Sequence, residues 1–76
     1  MDKPTFINQI ELLGFIQTHP LRWHFQDPEK YEYWQIVLNA KSDTFTLCLR
    51  DYEKCNNIPF PENETDLQTF FKIVMR

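Results

Sequence analysis

The clearest regularity in the chain is an alternation of apolar and polar residues between Leu21 and Tyr52, broken by two turn-forming clusters. Leu21, Trp23 and Phe25 fall on one side and Arg22, His24 and Gln26 on the other, the period of two expected of a strand. Tyr31 to Asn39 repeats the pattern. Glu32, Trp34, Ile36 and Leu38 share one face; Tyr31, Tyr33, Gln35, Val37 and Asn39 share the other. Thr44 to Tyr52 repeats it again, with Phe45, Leu47 and Leu49 opposed to Thr46, Cys48, Arg50 and Tyr52. Asp27-Pro28-Glu29-Lys30 supplies Asp and Pro at the first two positions of a turn, and Lys41-Ser42-Asp43-Thr44 is a second turn. Connections this short predict an antiparallel meander with the Tyr31 strand in the middle.

The flanking segments follow helical spacing instead. Phe6, Ile10 and Leu13, widened by Ile7, Leu12, Phe15 and Ile16, predict a helix from about Phe6 to Thr18, with Thr5 as N-cap and His19-Pro20 as its end. Gly14 falls inside that helix, at a cost of about 1 kcal/mol relative to Ala. Leu67, Phe70, Phe71 and Val74 form the apolar face of a second helix. Thr65 to Gln68 reads as its capping box. Glu62, Glu64 and Asp66 at its start and Lys72 and Arg76 near its end complement the helix dipole. The segment Glu53 to Asn63, with Asn56-Asn57 and Pro59-Phe60-Pro61, reads as a loop that tucks Ile58 and Phe60 onto the core. The expected fold class is α+β: an α-β-β-β-α order, a three-stranded antiparallel meander and two helices packed on its Trp34/Ile36/Leu38 face.

The turns also set a register. It places Gln26 opposite Tyr31, His24 opposite Tyr33 and Arg22 opposite Gln35. In the second hairpin Val37 lies opposite Cys48, Gln35 opposite Arg50 and Tyr33 opposite Tyr52. Both hairpins then keep their apolar residues on one face, which a slip of one residue would turn outward. The face left uncovered by the helices carries a row of His24, Tyr33 and Tyr52 and a row of Arg22, Gln35 and Arg50.

A chain of 76 residues is one domain, 1–76, near the lower size limit for a self-sufficient core. Seven Phe, three Tyr and two Trp compensate with large buried areas. The single Gly argues against a phosphate-cradling loop, and the net charge of −3 disfavours a general nucleic-acid backbone binder. No apolar run is long enough to span a bilayer, and Met-Asp-Lys-Pro-Thr does not open a signal peptide. The expected location is the cytoplasm, with Cys48 and Cys55 as free thiols and the sequon Asn63-Glu64-Thr65 silent.

Candidate chemistry is sparse. His24, Tyr33 and Tyr52 have acid-base character, but no nucleophile or carboxylate pair accompanies them, and a cross-strand packing row explains them as well. His19, His24, Cys48 and Cys55 lack the spacing of a zinc finger or ribbon. No catalytic residue, metal or cofactor is therefore expected. Arg22, Arg50 and the tyrosines have the character of a stacking platform for single-stranded nucleic acid, against which the acidic balance weighs. The acidic groups Asp27-Glu29-Glu32 and Glu62-Glu64-Asp66 invite comparison with a phosphate backbone, although a solvated turn and a helix N-terminus account for both.

The α-β-β-β-α order resembles that of the double-stranded RNA-binding domain over nearly the whole chain. That family carries a basic cluster at the start of its second helix, where this chain has Glu64, Thr65 and Asp66. Its first sheet turn is a Gly-Pro-x-His loop, where this chain has Asp27-Pro28-Glu29-Lys30. The resemblance thus implies a fold order without the RNA-binding residues.

A small acidic chain without a catalytic set is expected to act by binding another protein. In size and charge it is similar to inhibitors of nucleic-acid machinery encoded by phages and mobile elements, of the anti-CRISPR or anti-restriction type. The expected partner-binding residues are Arg22, His24, Tyr31, Tyr33, Gln35, Arg50 and Tyr52 on the open face, because Tyr and Arg dominate interface energetics. The rivals are a single-stranded nucleic-acid-binding module using the same face and an immunity protein that blocks a toxin nuclease. A membrane partner is not expected. Free sheet edges leave monomer and homodimer both open.

Overall fold

The computed structural model describes residues 1–75. Within them, helix α1 spans Lys3–Leu12, followed by strands β1 (Ile16–His19), β2 (Arg22–Asp27), β3 (Glu32–Leu38), β4 (Thr44–Leu49) and β5 (Tyr52–Pro59) and by helix α2 (Glu64–Val74). The strands lie in chain order, and every neighbouring pair is antiparallel. The fold is α+β, a meander with two helices packed on one face, as the alternation predicts. The sheet is larger than expected, with an added strand at each edge. Five strands also end the likeness to the double-stranded RNA-binding domain, which stood on an order of three.

The first added strand exists because α1 stops early. Asp2, not Thr5, is the N-cap: its carboxylate accepts the Thr5 N–H at 3.0 Å. At the other end Gly14 is the residue after the cap, not an interior weak point. Its φ of 108° is in the positive region that favours Gly. The Gly14 N–H donates to the Glu11 carbonyl at 3.0 Å and the Phe15 N–H to the Ile10 carbonyl at 3.1 Å. This pair of bonds is a Schellman motif, and its usual apolar contact is present in Phe15 and Ile10, both in the core. The chain leaves the helix there, and Ile16 to His19 become an edge strand.

The β2–β3 and β3–β4 registers differ from the expected ones by two residues each. His24 pairs with Gln35, Gln26 with Tyr33 and Arg22 with Val37. Val37 pairs with Thr46 and Gln35 with Cys48. Each turn is centred one residue away from its expected place, which shifts the register by two. Asp27 accepts the N–H groups of Glu29 (2.9 Å) and Lys30 (3.2 Å), and Tyr31 turns the chain at φ 55°, so Tyr31 belongs to the loop and β3 begins at Glu32. Asn39 likewise accepts the Lys41 N–H at 2.8 Å ahead of β4. A shift of two preserves the side-chain period, so every inward residue stays inward.

Glu53 to Asn63 is mostly strand, not loop. β5 escapes the alternation because it is bulged twice against β4. Its residues paired to the inner positions Leu49, Leu47 and Phe45 are Tyr52, Cys55 and Ile58, a spacing of three instead of two. Asn57, at φ 50°, marks the second irregularity. Bulges on a free edge hinder pairing with another sheet. β1 has one as well, between Gln17 and His19.

The helices close the inner face. Phe6 and Ile10 from α1 and Leu67 and Phe71 from α2 pack with Trp23, Trp34, Ile36, Leu38, Phe45 and Leu47. Phe60 is tucked in as expected, stacked on Phe6 at a centroid distance of 4.3 Å. Trp23 ties the sheet to α1 by donating its indole N–H to Glu11 at 3.2 Å. α2 is capped by Asn63, two residues before the expected Thr65; its side chain accepts the Asp66 N–H at 2.9 Å. Glu64, Asp66 and Lys72 complement the dipole as expected, and Arg76 lies outside the described residues.

Candidate functional site

With both helices on the inner face, the outer face of the sheet is left uncovered by secondary structure. Its rows follow from the register. One row crosses β1 to β5 as Ile16, His24, Gln35, Cys48 and Glu53. The next holds Arg22, Val37 and Thr46. A third holds Gln26 and Tyr33, with Arg50 joined to Tyr33 by a 2.8 Å bond from its N–H to the Tyr33 carbonyl.

The seven residues expected to bind a partner separate into two groups. Arg22, His24, Tyr33, Gln35 and Arg50 gather on or beside the outer face. His24 and Tyr33 are diagonal neighbours, and their rings stack at 5.4 Å. Arg22, Gln35 and Arg50 do not form a single row, yet with Val37, Thr46, Cys48, Asp51 and Glu53 they line one shallow groove of about 390 Å³. Tyr31 and Tyr52 do not join them. Tyr31 stands in the β2–β3 loop, 80% exposed, and Tyr52 pairs with Leu49, on the helix-bearing side of the sheet, 72% exposed. The row His24–Tyr33–Tyr52 is therefore a pair. Sequence reasoning missed Ile16, which pairs with His24 on the outer face and is 63% exposed. Gly14 was the available signal, since a helix ended there frees Ile16 for a strand.

The groove has mixed charge. Arg22 and Arg50 share its lining with Asp51 and Glu53. Cys48 registers this arrangement. Burial pushes its thiol pKa upward, the Glu53 carboxylate adds to the rise, and the Arg22 guanidinium opposes it. The thiolate is the nucleophile, so Cys48 should alkylate with iodoacetamide at mildly alkaline pH more slowly than a free small thiol. In a Cys55→Ser background followed by mass spectrometry, Glu53→Gln should speed the reaction and Arg22→Ala should slow it. Equal rates in all three would remove both charges from the neighbourhood of Cys48.

The remaining polar groups do not assemble a centre. His24 and Cys48 share a row but stand on either side of Gln35, His19 is at the end of β1, and Cys55 pairs with the inner residue Leu47. Among the described residues no group of three or more His, Cys, Asp and Glu side chains is placed to hold a metal ion. The acidic clusters have local partners: Asp27 holds its loop, and Asp66 accepts from the Asn63 amide at 3.3 Å. Glu32 turns inward, with Oε1 enclosed. No helix among the described residues is long and apolar enough to cross a membrane. Comparison with protein-family models, with curated proteins and with solved structures finds no match.

Proposed function

We propose that this protein is a non-enzymatic inhibitor that works by laying its outer sheet face against another protein. Its targets are proposed to be host nucleic-acid machinery of the kind that phages and mobile elements block, as anti-CRISPR and anti-restriction proteins do. The observation that carries the reading is the uncovered outer face, where Arg22, Gln35 and Arg50 line one groove and His24 stacks on Tyr33, while both helices pack on the opposite side. Tyr and Arg on a firm support are what interface anchors require. The sheet holds them at low entropic cost, because their backbone is already fixed by the ladder. Asp51 and Glu53 beside the two arginines favour a protein partner over nucleic acid, since a phosphate chain would meet repulsion there. The absence of enzymatic activity rests on the sequence, which sets no nucleophile or carboxylate pair beside His24 and Tyr33.

The test is inhibition in purified cleavage reactions by CRISPR effectors, restriction enzymes and toxin nucleases. Wild-type protein should block one of these classes. Tyr33→Ala and Arg22→Ala should each weaken the block at least about tenfold, the size of a moderate hot spot. Tyr52→Ala, on the other side of the sheet, should leave it intact. A block indifferent to Tyr33 and Arg22 would place the interface elsewhere. Oligonucleotide binding that falls steeply with salt, and is lost in Arg22→Ala or Arg50→Ala, would replace the inhibitor with a nucleic-acid-binding module.

A further inference from the structure

We infer that the outer sheet face is self-complementary and that a second copy of this chain occupies it when no other partner is bound. The distribution of charge across the strands points to this. The cation Arg22 is on β2 beside His24, and the anion Glu53 is on β5, with the uncharged Gln35, Val37, Thr46 and Cys48 on the strands between. Two such faces packed through a two-fold axis that lies in the interface and runs between β3 and β4 bring β2 of each copy over β5 of the other. The opposing Glu53 then stands over His24, with Arg22 one row along β2 and its long side chain able to reach the carboxylate, and Gln35 and Val37 meet Cys48 and Thr46. The same operation sets Tyr33, at one end of β3, near the opposing Arg50, at the end of β4, where a guanidinium over a ring is favourable. Every contact occurs twice, as an isologous interface demands.

Area and edges agree with this geometry. Four strands about 4.8 Å apart and about 20 Å long present roughly 400 Å² of flat sheet per copy, which pleated side chains enlarge to a total of about 1,000 Å². That is at the low end of specific interfaces, so the dimer is weak and concentration-dependent. The alternative of joining sheets edge to edge is opposed by the bulges in β1 and β5. The inference does not depend on the inhibitor reading, although the dimer would hide the same face from a partner.

Sedimentation equilibrium across a concentration series tests it. Mass should rise from that of one 9.3 kDa chain towards two as concentration increases. Arg22→Glu and Glu53→Arg should each raise the dimer dissociation constant at least about tenfold, because each sets like charges against one another. An equimolar mixture of the two variants, and the double variant, should both recover dimerisation. Three results would overturn the inference: a single-chain mass at every concentration, a dimer unaffected by either substitution, or mixed variants that stay monomeric. None of them bears on the nuclease assays, where Tyr33→Ala decides separately.

Discussion

Replacing Phe45 by Ala should come close to unfolding the protein. Phe45 is 1% exposed, and its ring lies within 4.8 to 6.2 Å of the rings of Phe6, Phe60, Phe70 and Phe71. It joins rings of both helices and of the segment after β5, so removing it opens a cavity that no single element can close. A buried Phe→Ala change costs about 3–5 kcal/mol. Ordinary domains hold about 0.05–0.15 kcal/mol per residue, which amounts to roughly 4–11 kcal/mol for a chain of this length. A domain this small belongs at the low end of that range, so urea unfolding followed by circular dichroism should show a midpoint near zero denaturant. Tyr33→Ala, on the outer face, should stay within about 1 kcal/mol of wild type. A loss below about 1.5 kcal/mol for Phe45→Ala would mean that the aromatic cluster is not the centre of the fold.

Gly14→Ala should be the most damaging single-methyl change in the chain. At φ 108° an L-residue is strained, and its Cβ would stand 3.1 Å from Cε1 of Phe25. Holding a residue in such a region costs about 1–3 kcal/mol, which the smaller unfolded-state entropy of Ala offsets by only about 0.4–1 kcal/mol. With the ring contact added, a net loss of about 2–3 kcal/mol is expected in the same urea assay. A double-mutant cycle with Phe25→Leu separates the two causes. If Phe25→Leu rescues most of the loss, contact dominates; if it rescues none, backbone strain does. A stabilising Gly14→Ala would mean that α1 continues past Leu13 and that β1 does not form.

Gly14 also shows how a correct signal can be misjudged. A Gly bordered by apolar residues at helical spacing reads as a flaw in a long helix, because the pattern Phe6, Ile10, Leu13 continues through Phe15 and Ile16. The same Gly followed by an apolar residue is the signature of a helix stop. Periodicity alone does not choose between them, since Phe15 is buried under either reading. Pairing of Ile16 with His24 decides it. β5 lies further from recognition. Two bulges give it a spacing of three, and Glu53, Lys54, Asn56 and Asn57 are poor strand formers, so it is held by the ladder to β4 and not by its own preference.

The candidate face was half legible for a related reason. Side-chain alternation assigns each residue of β2, β3 and β4 to a face without reference to any other strand, so Arg22, His24, Tyr33 and Gln35 could be placed outward, and Trp23, Trp34, Ile36 and Leu47 inward, from local pattern alone. The class of fold follows from the same information, because two apolar helices need the apolar side of the meander. Which outward residues are neighbours is a different matter. It depends on where each turn is centred, and that was set by the Asp27 and Asn39 side chains and by the left-handed backbone at Tyr31. A shift of two residues leaves burial unchanged, so hydrophobic pattern is blind to it. Only the packed ladder replaced the row His24–Tyr33–Tyr52 with a His24–Tyr33 pair, moved Tyr31 and Tyr52 off the face, and brought Glu53 of the unforeseen β5 beside Cys48 opposite Arg22.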